Sequence, residues 1–197
     1  MDRIDRERFG RLRNHLAKTP RDAAWRNALC FMLLRAYKEH PQMYQGMWVA
    51  YLSGLRGIWD APLRLLGTPQ DLRTWSEVAP FALFDVSMPD RIGRDNMHTL
   101  CTLPIAMRIR TLTLVRNKLR PRDIRKLAES TQLGRVERLD LSGNALAHED
   151  VVRMLASPNW PGLTEVHFDQ GNVPQRDQRL ELTEEFGRAG DLRIHWR

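Results

Sequence analysis

Residues 112–119 read LTLVRNKL, and residues 139–146 read LDLSGNAL. A third stretch, 166–173, reads VHFDQGNV. All three fit the pattern L-x-L-x-x-N-x-L, with Gly171 standing where the Asn would be. They begin at Leu112, Leu139 and Val166, so the step between starts is the same both times. The positions between them match as well: Ile124 with Val151, Ser130 with Ser157, Leu133 with Trp160, and Val136 with Leu163. A fixed period of this length marks an array of stacked units.

The pattern has a direct physical reading. In L-x-L, alternate side chains point into the core and the x positions face out. The Asn side chain can satisfy backbone groups of an adjacent turn, so Asn117 and Asn144 are expected to form a ladder from unit to unit. One unit cannot bury its own apolar face, so the units must stack. Helices are expected between the motifs, near 121–131, 148–157 and 175–188, with 91–102 in the same place one unit earlier. Pro121 suits a first helical turn. Val151, Val152 and Leu155 are expected to form the inward stripe of the second helix.

These motifs resemble the leucine-rich repeat family, and most closely its ribonuclease-inhibitor-like class. The resemblance implies an α/β fold: a short solenoid of about five parallel strands with helices on the convex side. It covers residues 108–173 most specifically. Phe84-Asp85-Val86, one position more than a period before Leu112-Thr113-Leu114, is read as the first strand. Leu192 with Ile194, one position less than a period after Val166 and Phe168, is read as the last. The units then run near 84–111, 112–138, 139–165 and 166–191, with a final strand at 192–196. Residues 81–197 form this repeat domain, and residues 1–80 an α-helical N-terminal domain, either a cap or an independent binding module. In 1–80 the apolar residues Ile4, Phe9, Leu12 and Leu16, then Trp25, Leu29, Phe31, Met32, Leu33 and Ala36, then Met43, Met47, Trp48, Tyr51, Leu52 and Leu55 mark three helices. A short segment at 57–67 and a helix near 69–78 follow. A helical segment ahead of a few repeats also resembles bacterial repeat-companion proteins.

The exposed strand positions form the candidate partner-binding face. Its central column is Asp85, Thr113, Asp140, His167 and Arg193. On one side lie Thr111, Arg138, Glu165 and Asp191, and on the other Ser87, Val115, Ser142, Asp169 and His195. Ser142, His167 and Asp169 fall on neighbouring units, but no G-x-S-x-G elbow accompanies them, and a triad needs a pocket and an oxyanion hole. No catalytic residue is therefore expected. His98 and Cys101 at i and i+3 are too few to make a metal site. No phosphate-binding or dinucleotide-binding glycine loop occurs. No metal and no cofactor are expected.

The chain has 197 residues and a net charge of +7. Of its 31 basic residues only four are Lys. Arg108, Arg110, Arg116, Lys118, Arg120, Arg122, Arg125 and Lys126 face one acid, Asp123, and form a candidate anion-binding cluster. Two cysteines exclude a disulfide framework. No apolar window is long enough to span a bilayer. The first residues lack the apolar core of a secretory signal. A cytoplasmic protein is expected. The expected function is a non-enzymatic scaffold that binds a protein partner through the concave repeat face or the helical module. The alternatives are binding of nucleic acid or an anionic surface through 108–126, and, by resemblance to repeat-containing GTPase activators of the Ran type, regulation of a GTPase. Self-assembly through the Trp residues is a further possibility.

Overall fold

A computed structural model describes residues 3–17, 23–45, 49–54, 62–80, 82–88, 92–173, 175–188 and 192–197. The chain divides into two compact units. One comprises residues 1–63 and 74–82, the other 64–73 and 83–197. The expected boundary near residue 80 therefore shifts, because a segment read as part of the helical domain belongs with the sheet.

In the helical unit, α1 (Arg3–Leu16) and α2 (Ala23–Glu39) pack together. The His15 ring stacks on Trp25 at 5.1 Å. Trp25 Nε1 donates to the His15 carbonyl at 2.8 Å, and His15 Nε2 lies 2.8 Å from the Trp25 carbonyl. Trp25, Leu29, Leu33 and Ala36 are buried at helical spacing. Phe31 is not part of that stripe as expected. It lies two residues off it, on the opposite face, and is 67% exposed. The single helix expected at 42–56 is shorter pieces, α3 (Pro41–Met43) and α4 (Val49–Ser53). Leu52 and Tyr44 are buried, and Tyr44 Oη donates to the Val78 carbonyl at 2.5 Å. Met47, Trp48, Leu55 and Trp59 lie outside the described residues, as do the side chains of Ile4, Phe9 and Met43.

The other unit is built on a six-stranded sheet with its strands in sequence order. They are β1 (Leu63–Leu66), β2 (Phe84–Ser87), β3 (Ile109–Thr113), β4 (Arg138–Asp140), β5 (Glu165–Phe168) and β6 (Arg193–Trp196). Each pairing from β2 to β6 is parallel. Parallel neighbours need a crossover connection, and helices supply it. These are α6 (Arg94–Thr102), α7 (Pro121–Glu129), α8 (His148–Leu155) and α9 (Arg176–Arg188); α5 (Pro69–Val78) joins β1 to β2. The first strand was not among the expected five. Its sequence, LRLL, lacks the flanking Asn motif, and Leu63 is buried while Leu66 is 75% exposed.

The inward residues of successive strands form the core: Phe84, Val86, Leu112, Leu114, Leu139, Leu141, Val166 and Phe168 are all buried. The helices close over them with Met97 and Leu100, Ile124 and Leu127, and Val151 and Met154. The stripe of α8 is thus Val151 with Met154; Val152 and Leu155 are only half-buried. α6 packs on α7, and α7 on α8.

From one motif to the next within the sheet-bearing unit, the backbone is held by side chains repeating at the same step. Asn117 Nδ2 donates to the Met88 carbonyl at 2.7 Å, and its Oδ1 accepts from Ile92 N at 3.1 Å. Asn144 Nδ2 donates to the Leu114 and Leu141 carbonyls at 2.7 Å each, and its Oδ1 accepts from Leu119 N at 3.3 Å. In the third unit the role falls to Asn172, one residue beyond the aligned Gly171. That loop is one residue longer. Ser130 donates to the Cys101 carbonyl at 2.9 Å and Ser157 to that of Ala128 at 2.5 Å, so the matched serines tie each helix to the one before. Asp123 and Asp150, again one period apart, accept the backbone N–H groups of Arg120 and Ala147 at the starts of α7 and α8.

The turns after β3 and β4 require left-handed backbone. Arg116 and Gly143, one period apart, have φ of 56° and 76°. A Cβ on Gly143 would lie 2.6 Å from Arg116 Cγ, so glycine there meets both the backbone angle and the stacking of its neighbour. No described helix is long and apolar enough to cross a membrane.

Candidate functional site

The outward residues of β2 to β6 form two columns. Pairing places Asp85, Thr111, Arg138, Glu165 and Arg193 in register, and beside them Ser87, Thr113, Asp140, His167 and His195. All of these side chains are half-buried or exposed. The expected columns are therefore corrected at both ends. Asp85 and Arg193 leave the central column for the Glu165 column, while Ser87 and His195 enter the central one. Val86, not Phe84, pairs with Leu112, and Ile194, not Leu192, pairs with Val166. Asp191 lies outside the described residues. The third expected column is not a strand column, because Val115, Ser142 and Asp169 follow the ends of their strands. Ser142 is buried rather than presented to solvent.

Glu165 is the hub of the face. Its Oε1 lies 2.9 Å from His167 Nε2 and 3.4 Å from His195 Nε2. Its Oε2 lies 3.9 Å from both Arg138 Nε and Arg193 Nη2. The two imidazoles stack at 4.5 Å and 12°, as the strand spacing of about 4.8 Å allows for directly paired residues. The hydrogen bond from His167 holds the Glu165 carboxyl below its ordinary range; partial burial opposes this, and the charge interactions with His167, His195 and Arg193 add to the lowering. A carboxyl lowered on folding contributes stability that is present above its unfolded value of about 4.3 and is lost as pH falls through the folded value. Wild type is thus expected to lose more stability than Glu165→Gln as the pH is lowered below about 4.3. Urea denaturation across that range checks this, and parallel curves for the two proteins would contradict it.

The rest of the face is tied down. Asp140 accepts from Arg197 Nη1 and from Ser142 N, both at 3.0 Å. Asp169 accepts from the Gly143 N–H. His167 Nε2 is thus engaged with Glu165 and Asp169 with backbone, while Ser142 Oγ and His167 Nδ1 are buried without a hydrogen-bond partner among the described residues. Ser142, His167 and Asp169 are not joined as a nucleophile, base and orienting acid.

The basic residues of 108–126 stand on three successive parts of the chain. Arg108 and Arg110 stand at the start of β3, and Arg110 pairs with Glu137 at 2.5 Å. Arg116, Lys118 and Arg120 lie beyond its far end, about 16 Å away for five extended residues. Arg122, Arg125 and Lys126 lie on α7, with Arg122 Nε 3.9 Å from Asp123. The exposed members are Arg116, Lys118, Arg120, Arg122 and Arg125. Of the pair considered for metal binding on α6, His98 is exposed and Cys101 buried. Burial pushes the Cys101 thiol up to about 12 and the Cys30 thiol to about 11.

Sequence reasoning missed the convergence of Glu165, His167 and His195, whose ligand atoms all lie within 4.8 Å of one another. The signal was present: His167 and His195 are separated by one position more than the period, and Asn172 stands one position beyond its expected place. Comparison of the chain with protein-family models and with curated proteins finds no match.

Proposed function

We propose that this chain is a non-enzymatic binding scaffold, a short solenoid of the leucine-rich-repeat type that presents the outer columns of β2 to β6 to a protein partner. The observation that carries this reading is the open face itself. The inward residues of β2 to β5 are buried, yet the residues between them stand in registered polar columns that continue onto β6, five strands and roughly 19 Å across at the usual strand spacing. Extended faces of stacked repeats are what such folds offer to partners. The constant step between motifs and the backbone bonds of Asn117 and Asn144 support the repeat assignment.

The charge on the face suggests the partner's chemistry. Glu165 is surrounded by two imidazoles and two guanidinium groups. Arg138, Arg193 and Arg197 keep more than half of their side chains exposed. An acidic, hydrogen-bonding protein surface complements them.

Affinity capture from native lysate at physiological salt tests the reading, with mass spectrometry and nucleic-acid quantitation. A stoichiometric acidic protein is expected with wild type and not with the Arg138→Ala/Arg193→Ala double variant. These exposed substitutions change stability by no more than about 0.5 kcal/mol each. Capture that survives them removes the face as the binding surface. Nucleic acid retained at physiological salt and lost on Arg116→Ala/Lys118→Ala would replace this reading with the anion-binding one.

A further inference from the structure

We infer that Glu165, His167 and His195 form a site for one divalent transition-metal ion of the zinc type. The first argument is distance. Zinc binds imidazole nitrogen and carboxylate oxygen at about 2.0–2.2 Å, so two ligands of one tetrahedral ion lie about 3.3–3.5 Å apart. Glu165 Oε1 lies 2.9 Å from His167 Nε2 and 3.4 Å from His195 Nε2, the first a little inside that spacing and the second on it. The two imidazole nitrogens lie within 4.8 Å of each other, and tipping the stacked rings toward one another closes the difference.

The second argument is support. All three ligands stand on paired strands, two on β5 and one directly across on β6. Strands hold side chains more tightly than loops do. Glu165 and His167 keep less than a fifth of their side chains exposed. The guanidinium groups of Arg138 and Arg193 lie near Oε2, so Oε1 is the oxygen turned to the imidazoles.

The donor set decides the metal class. Two imidazoles and one carboxylate suit zinc, copper, nickel or cobalt, whereas calcium and magnesium take oxygen ligands. Three protein ligands leave the remaining position to water or to an incoming group. Binding at His167 Nε2 requires that nitrogen to be free of hydrogen: a charged ring releases its Nε2 proton to solvent, and a neutral ring carries its one hydrogen on Nδ1 with no net release. The site does not depend on the face binding a protein.

Titration of the chelator-treated full chain with zinc chloride, followed by calorimetry, tests the inference. Cobalt(II) absorption gives a second readout of ligand geometry. One zinc per chain and a tetrahedral cobalt spectrum are expected. His195→Ala and Glu165→Gln should each weaken zinc binding at least about tenfold, as even outer-shell changes at metal sites cost about that much. Arg193→Ala keeps all three ligands and removes a nearby positive charge, so it should tighten zinc about threefold at physiological salt. It would weaken protein capture instead, which separates failure of the metal site from failure of the partner-binding reading. Absence of zinc binding in wild type overturns the inference. So does zinc bound equally well by His195→Ala and Glu165→Gln, both checked by circular dichroism to be folded.

Discussion

Asn144→Ala is expected to destabilise the protein by about 3–5 kcal/mol. Asn144 is 3% exposed, and its amide reaches the carbonyls of Leu114 and Leu141 while its oxygen takes the N–H of Leu119. Truncation leaves at least these three backbone groups in the interior without their partner. Each buried unsatisfied group costs about 1–3 kcal/mol, and the sum falls short of additive because they share one side chain. The hydrogen bonds themselves contribute less than the cost of breaking only one side of them. Asn144→Asp should not recover the loss. It keeps an acceptor for Leu119 N but sets a carboxylate oxygen against two carbonyls. Denaturant unfolding monitored by circular dichroism measures both variants. A loss under about 1 kcal/mol for Asn144→Ala would mean that the turn holds without the ladder.

Phe168→Ala is expected to cost about 3–5 kcal/mol and to disturb the face as well. Phe168 is fully buried at the end of β5, and its ring stacks on Trp196 of β6 at 5.5 Å. Trp196 in turn donates to Thr183 on α9 at 3.1 Å. Removing the ring leaves a cavity beneath the strand that carries Arg193 and His195. Phe168→Leu keeps most of the volume and should cost about 1 kcal/mol. Paired measurements of unfolding free energy and zinc affinity distinguish the two. Phe168→Ala should lose both, because His195 sits one residue from Trp196. A variant that loses stability but binds zinc as wild type does would show that β6 is held without this stack.

The middle of the sheet was readable from the chain, and its ends were not. Leu112, Leu139 and Val166 mark strands at an unbroken step, and their inward and outward sides follow from alternation. At β6, Leu192 with Ile194 and Ile194 with Trp196 satisfy the same alternation. A slip of one residue would have turned every side chain over; a slip of two leaves the pattern intact and moves each residue along the face. The same ambiguity covers Phe84 and Val86 in β2. The slip separated His195 from His167 on paper, and with it the cluster around Glu165. β1 was missed for a different reason: its four residues follow no Asn motif and lie among helices. The exposed Phe31 shows that an apolar residue in a helical stretch does not by itself mark the buried stripe.

The asparagine ladder points backwards along the chain. Asn117 completes the backbone of Met88 and Ile92, and Asn144 that of Leu114 and Leu119. On a ribosome, which releases the chain from its N-terminus at about 5–20 residues per second, each turn must therefore wait for the next asparagine to emerge. A nascent chain ending before Asn144 carries a turn at 114–119 whose Leu114 carbonyl and Leu119 N–H still lack the side chain that completes them. Vectorial synthesis of this protein would thus proceed with one open turn always at the growing end, sealed one period later.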